Sequence, residues 1–322
     1  MKALQIKRFG EPEDVLELVE IPDITPGPDE VRVRINAAGI NPSDAMNVRG
    51  RFMATKLPRI VGRDFAGTVV DGPEEIVGLP VWGSGGDIGF TVDGSHAEFI
   101  NIPTTAVALR PANLSSEEAA AVGVPFVTAW SAIDSAGLRP DGWVIVSGAA
   151  GAVGSAAVEL AFARNAHIIA LIKDESERAG VDLDKVEAVA QSDRGDLAEV
   201  VAEATDGRGT DVILNGIGAA VFPHFLKSLA EDGRMVVYSV AFGGHEASLD
   251  LFEFYRRRYH LIGLNTSAID VVKGARILAQ LKPLFENGAL NKPRIVKSYS
   301  LEESAMAYAH AMSANGKVVF SV

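Results

Sequence analysis

The chain contains no cysteine. Disulfides, thiolate zinc sites and cysteine nucleophiles are therefore excluded at once. Basic residues are also scarce: 30 Lys and Arg stand against 42 Asp and Glu, a formal net charge of −12. Such a surface repels phosphate backbones and anionic lipids, so neither nucleic acid nor a membrane is expected as a partner. No unbroken apolar run approaches the roughly 20 residues that cross a bilayer. Met1 to Lys7 lack a signal-peptide apolar core and read as a first strand, so a soluble cytoplasmic protein is the expectation. The six His show no metal-ligand spacing.

What is present suits two globular domains: 322 residues, 48% hydrophobic, with 32 Gly and 15 Pro. Val31-Arg32-Val33-Arg34-Ile35 alternates apolar and polar, the period of a half-buried strand. Frequent Pro and Gly through about residue 94 suggest short antiparallel strands in a barrel-like first domain. The pattern changes near Leu114, where Ser115 or Ser116 can cap an alanine-rich helix and Pro125 opens another. Apolar runs at Trp143–Ser147, Ile168–Ile172, Val212–Asn215 and Arg234–Ser239 then alternate with helical stretches, as in a doubly wound parallel sheet. Helices over about 268–287 and 301–314, and a terminal strand over 316–322, close the chain.

The most informative motif is Ser147-Gly148-Ala149-Ala150-Gly151-Ala152-Val153-Gly154, which follows a strand and opens a helix. It fits the dinucleotide fingerprint with Ala149 in the first glycine position. Ala150, Gly151, Ala152, Val153 and Gly154 would then carry the pyrophosphate at a helix N-terminus. Gly83 to Gly89 has the wrong spacing and no helix behind it, and reads as a loop.

At the end of the second parallel strand, NAD enzymes usually present Asp or Glu to the ribose. Here Ile172 is followed by Lys173, with Arg178 further on. These cations suit a 2′-phosphate, which favours NADP(H). Two other readings stand beside it: solvated charges at a helix start, or Asp174 serving NAD.

Several segments together resemble the medium-chain dehydrogenase/reductase superfamily, in its zinc-independent NADPH:quinone oxidoreductase (zeta-crystallin-like) family. These are Asn41-Pro42-Ser43-Asp44 with Arg49-Gly50, Pro58 to Gly67, Asp93 to Phe99, Gly233 to Val237, and Gly316-Lys317-Val318-Val319. The resemblance covers essentially the whole chain. It implies a mixed α/β fold: a GroES-like β-barrel catalytic domain over 1–118 and 267–322, and a Rossmann nucleotide-binding domain over 119–266. It also implies a nicotinamide held between them, and a homodimer.

By the same resemblance, Asn41 is a substrate-side polar group and Thr128 a hydroxyl facing the nicotinamide. Locally each has a plainer reading, a turn residue before Pro42 and a packed helix Thr. The resemblance gives cofactor roles to Asn215, Ile217, Ser239, Ala241, Leu264 and Asn265 at strand ends, and to Lys317. Asp44 and Arg63 would support the loop or form an ion pair.

The departures from zinc relatives decide the chemistry. A zinc alcohol dehydrogenase has an early Cys and a His where this chain carries Arg63, a group that cannot ligate. Without a Lewis acid, oxidising an alcohol is hard, whereas hydride transfer to an electrophilic quinone or enone needs less help. No Tyr stands in the early loop 44–49, so solvent is the expected proton source. The expected activity is reduction of a quinone or α,β-unsaturated carbonyl. The alternatives are an enoyl-thioester reductase, for which Arg256-Arg257-Arg258 is the one candidate basic entrance, and a non-catalytic NADPH-binding sensor or structural protein.

Overall fold

A computed structural model describes residues 1–240 and 244–322. The chain separates into two compact units, one of residues 1–127 with 266–322 and one of residues 128–265.

The first unit begins with β1 (Lys2–Ile6), α1 (Pro12–Val15), β2 (Glu17–Glu20), β3 (Glu30–Ile40) and α2 (Pro42–Val48). It continues with β4 (Arg59–Ile60), β5 (Asp64–Asp71), β6 (Pro80–Ser84), β7 (Phe99–Pro103), β8 (Ala108–Leu109) and α3 (Ser116–Ala136). The strand β3 organises it. Its alternation buries Val31, Val33 and Ile35 and leaves Arg34 in solvent. It pairs antiparallel with β5 and β7.

The helix α3 is bent at Gly123 (φ −17°, ψ −107°), just before Pro125. A proline removes one helical N–H and crowds the preceding turn. The two helices expected from the sequence are thus present, meeting end to end at this non-helical residue.

The second unit holds β9 (Trp143–Ser147), α4 (Ala152–Ala163), β10 (His167–Ile172), β11 (Ala188–Gln191) and α5 (Leu197–Ala204). It ends with β12 (Thr210–Asn215), α6 (Phe222–Ser228), β13 (Leu229–Val237), α7 (Leu251–Arg256) and β14 (His260–Gly263). Its six strands run in the order β11-β10-β9-β12-β13-β14, every pairing parallel. That is the doubly wound order whose direction reverses between the first and fourth strands. The switch point falls between β9 and β12, and their carboxyl ends define the place where a nucleotide is bound in such sheets.

β11 and α5 are among the elements not visible in the sequence pattern. β11 is only four residues long and only Ala190 and Gln191 are buried, so its apolar signal is weak. α5 carries Leu197, Val200, Val201 and Ala204 at helical spacing, packed on a core of Ile145, Ile169 and Leu229.

The chain then returns to the first unit through α8 (Val271–Glu286), β15 (Ile295–Tyr299), α9 (Ser304–Ala311) and β16 (Lys317–Ser321). β16 pairs with β3 in a register that sets Val318 opposite Ile40. The last strand thereby carries Lys317 to the end of β3, beside Asn41.

Candidate functional site

In the second unit, β9 ends at Ser147 and the chain turns into α4. Gly148 takes φ +60°. The left-handed residue that the fingerprint assigns to its first glycine therefore lies one position earlier than Ala149, which is buried. The turn is fastened by Ala149 N–H to Leu171 O at 3.1 Å and by Gly151 N–H to Gly148 O at 2.9 Å.

A Cβ at Gly154 would stand 2.0 Å from Gly148 O, so glycine there is a packing necessity. Gly151 differs. It has an ordinary φ of −79°, and a Cβ there would meet only Gly148 O, at 3.3 Å. Protein packing here asks Gly148 O to give by a few tenths of an ångström, whereas a phosphate approaching the backbone would demand glycine outright. The 12-residue α4 starts immediately behind, with no side-chain cap. First-turn N–H groups of Ala152, Val153 and Gly154 have no intrahelical acceptor and carry the positive end of the helix dipole. The residues present fit a dinucleotide.

Lys173 and Arg178 lie just past β10. Lys173 Nζ is 3.9 Å from Asp174 Oδ2 with its side chain mostly exposed, and Arg178 Nε is 3.8 Å from Glu175 Oε1. Asp174 is turned into its own loop, where Oδ1 accepts the Ser176 N–H at 2.9 Å and the Ser176 hydroxyl.

The Asn215 side chain is equally committed. Its Oδ1 accepts from Ile217 N–H (3.0 Å) and Gly218 N–H (2.9 Å), and Nδ2 donates to Gly218 O (3.2 Å). Asn215 therefore shapes the turn that presents Ile217. Ser147 Oγ ties the switch point together, donating to Leu214 O at 2.7 Å and accepting Gly216 N–H at 2.8 Å. Tyr238, absent from the sequence expectations, packs its hydroxyl over Gly216, where a Cβ would sit 2.5 Å from it. Burial pushes this phenol up to about 12, while a hydrogen bond with Ser147 pulls it down.

Leu264 N–H donates to Val237 O at 3.0 Å, extending β13's edge, with Asn265 next in the chain. Ser239 follows β13; Ala241 lies outside the described residues. Thr128 is buried in the unit's first turn, within α3.

In the first unit the motif residues meet in a buried polar group. Asn41 caps α2, and its N–H donates to Asp44 Oδ2 at 2.8 Å. Its Nδ2 donates to Asp64 Oδ2 (2.8 Å) and Asp44 Oδ2 (3.2 Å), and its Oδ1 accepts from Lys317 Nζ (2.7 Å). The Asn41 amide is thus engaged inside the protein on both its nitrogen and its oxygen. Lys317 Nζ also donates to Ile40 O (3.1 Å) and lies 3.9 Å from Asp64. Burial lowers the Lys317 ammonium, and Asp64 and Asp44 oppose that.

Asp64 had no assigned role in the sequence, yet it is the hub. Wholly buried, its Oδ1 accepts Val124 N–H at 2.9 Å. A Cβ at Gly123 would lie 2.2 Å from its carboxyl group, which accounts for glycine at the bend of α3. Asp44 is raised to about 6, first by burial and then by the Asp64 charge. Its Oδ1 is buried without a partner. Of the two readings of Asp44 and Arg63, the ion pair is not formed. Arg63 Nε instead donates to Gly85 O at 3.0 Å, and Nη1 reaches Ser43 Oγ at 3.5 Å.

His96 lies beside this group. Nε2 contacts Gly39 O at 3.2 Å and Nδ1 the Tyr308 hydroxyl at 2.9 Å. Since a carbonyl only accepts, Nε2 carries the proton and Tyr308 donates to Nδ1. Burial lowers this imidazole to about 4.

Comparison with known proteins fits this geometry. An alcohol dehydrogenase GroES-like domain matches residues 27–112, and a domain described as zinc-binding dehydrogenase matches residues 152–279. A zinc-type alcohol dehydrogenase-like protein of Schizosaccharomyces pombe is 35% identical over 320 residues, covering 97% of this chain and 94% of that one. The quinone oxidoreductase-like protein 2 homolog of Nematostella vectensis is 30% identical, covering 92% and 82%. The chain belongs to the medium-chain dehydrogenase/reductase superfamily. Within it, it is quinone-reductase-like, an oxidoreductase of a family that binds a nicotinamide cofactor. A crystal structure of an NAD-dependent alcohol dehydrogenase superposes with a TM-score of 0.88 at 29% identity, with full coverage of both chains.

The superfamily includes zinc enzymes, but this member's donor set does not fit a family-type zinc. There is no cysteine, and no three His, Asp or Glu among the described residues are grouped to hold a metal. The run Arg256–Arg258 is partly spent internally, Arg258 on Glu231 and Asp232 and Arg257 on the Tyr259 hydroxyl.

Proposed function

We propose that this protein is a zinc-independent, NADPH-dependent reductase of quinones or α,β-unsaturated carbonyls. The observation that carries the reading is Arg63, a permanent cation at the matched zinc-ligand position of a chain with no cysteine. The bound nicotinamide supplies the hydride. The protein's part is to bind and orient: α4 and the glycine turn hold the pyrophosphate, and the Asn215 turn presents Ile217. Ser239, Ala241, Leu264, Asn265, Thr128 and Lys317 are proposed to position the nicotinamide, and Asn41 to serve as a polar group on the substrate side.

NADP(H) is preferred because Lys173 and Arg178 stand past β10 while Asp174 is folded into its own turn. We further propose a cytoplasmic homodimer. Leu251, Phe252 and Tyr255 are 60–69% exposed on α7, beside the edge strand β14, an apolar surface of the kind that pairs.

NADPH oxidation with a small quinone and with an enone tests the activity. Tight NADPH binding without turnover of either would leave the non-catalytic reading in its place.

A further inference from the structure

We infer that Arg63 is a catalytic residue of this reductase, the group that binds the substrate oxygen on which negative charge develops. The inference rests on the proposed reductase activity. Three observations carry it.

First, the guanidinium is underused. Arg63 is only 5% exposed, yet its protein contacts are Nε to Gly85 O at 3.0 Å, Nη1 to Ser43 Oγ at 3.5 Å, and the face of Phe90 with the ring centre at 5.3 Å. Nη2 has no protein acceptor among the described residues. Burying a charge with so few hydrogen bonds is costly unless something else pairs with it. Nη2 is not sealed in, since it is not among the fully buried unpartnered atoms. An external acceptor can reach it.

Second, the group is held rigidly. Gly62 has φ +96° and lies so close to His96 that a Cβ would be 2.3 Å from the ring. On the other side, β5 starts at Asp64, which is fixed by Asn41 and Val124. A donor whose backbone is clamped on both sides pays little reorganisation when charge appears.

Third, the surroundings are balanced in charge before the substrate enters. Asp44 and Asp64 stand close to Arg63 and Lys317, so the group as a whole is near neutral when all four are charged. A neutral carbonyl pays no repulsion on entry, and its hydrogen bond from the guanidinium strengthens as its oxygen becomes negative.

For an enone, hydride from NADPH adds to the β-carbon and the C=C electron pair moves through the carbonyl onto oxygen. Arg63 donates an N–H to that enolate oxygen. Water then delivers a proton to the α-carbon, giving the saturated ketone, hydroxide and NADP+. For a quinone, the hydride reduces the ring to the hydroquinone monoanion, whose charged oxygen faces Arg63, and water protonates that oxygen to give the hydroquinone, hydroxide and NADP+.

The test is steady-state kinetics with NADPH and a neutral enone. Losing one such donor costs roughly 100- to 1000-fold in kcat. Arg63→Gln should fall in that range while its NADPH Kd stays within about twofold, and millimolar guanidinium should restore part of the turnover of Arg63→Ala. Arg63→Gln retaining kcat within about threefold of wild type would overturn the role. Wild-type protein that turns over neither enone nor quinone is instead a failure of the reductase reading. Should the variants not fold, the wild type decides: with NADP+ bound, an ionised nitrophenol should bind at least about tenfold more tightly than its methyl ether. Equal affinities would overturn the assignment.

Discussion

The glycine turn of the second unit and the polar group of the first are built from opposite materials. The turn uses almost no side chains: Gly148 takes a left-handed conformation, Gly154 lets helix and strand pack, and backbone N–H groups are the proposed phosphate donors. The polar group is nearly all side chain, with Asn41, Asp44, Asp64 and Lys317 linked to one another away from water. A backbone site tolerates most changes in neighbouring side chains and fails when a Cβ intrudes. A side-chain site fails when any one partner leaves, because the others remain buried and charged.

The largest effect is therefore expected at Asp64. Asp64→Ala removes the acceptor of Asn41 Nδ2 and Val124 N–H and leaves Lys317 buried beside a lost counter-charge. Breaking a buried pair in this way costs about 3–5 kcal/mol. Urea unfolding should show it as a lower midpoint; a loss below about 1 kcal/mol would mean that the group contributes no more than surface pairs do.

Next comes Gly154→Ala. Its Cβ would lie 2.0 Å from Gly148 O, so strand and helix must part. Overpacking of this kind costs about 1–3 kcal/mol, and NADPH affinity should fall with it.

The contrast between the regions also explains what could be read in advance. The doubly wound sheet was legible because buried parallel strands are continuous apolar runs, and the glycine spacing announced the turn. The side-chain site was legible only in pieces. Asn41, Arg63 and Lys317 were found through family resemblance, whereas Asp64 passed unremarked as a strand residue. Nothing local tells that Asp64 will meet Asn41, Val124 and Lys317, which are brought together by the β3–β16 register and the bend at Gly123. Tyr238 and Tyr308 were missed for the same reason: their partners, Ser147 and His96, are far away in sequence. Of the two readings of Asp44 and Arg63, loop support or an ion pair, the ion pair is not formed: Arg63 bonds Gly85 O and reaches Ser43 Oγ instead.

A smaller effect should appear as a pH dependence confined to the side-chain region. Asp44, ordinarily at 3.8, is raised to about 6 in the folded protein. A raised folded value means stability that is full below the ordinary value and lost as pH rises through about 6. His96 is lowered from 6.5 to about 4. It contributes stability above 6.5 that is lost as pH falls through about 4. Between pH 4 and 6 the two oppose each other, and each shift of about 2 units corresponds to about 3 kcal/mol at most. Asp44→Asn removes one side of this balance. Urea unfolding of variant and wild type should diverge progressively from pH 4 to 6.5 in the variant's favour. Parallel curves would show that the carboxyl keeps its ordinary value.

Lys173→Ala probes the second unit's only proposed use of side-chain charge. Losing one charge-assisted contact to a phosphate costs about 1.5–3 kcal/mol when it is well formed. Lys173 is mostly exposed, so the lower end applies, about tenfold in the KM for NADPH with NADH unaffected. An unchanged ratio of the two cofactors would remove the case for NADP(H).

The smallest stability change is expected at Gly151, and there the contrast becomes sharpest. Its φ of −79° suits any residue, and an added Cβ meets only Gly148 O at 3.3 Å. Gly151→Ala should leave the unfolding midpoint within about 0.5 kcal/mol of wild type. Because the space it fills is the one assigned to the pyrophosphate, NADPH binding by fluorescence titration should still weaken by about tenfold or more. Gly154→Ala loses stability and binding together, since it moves the helix; Gly151→Ala should lose binding alone. If Gly151→Ala binds NADPH as the wild type does, the phosphates do not lie over this turn, and α4 ceases to be the anchor of the cofactor.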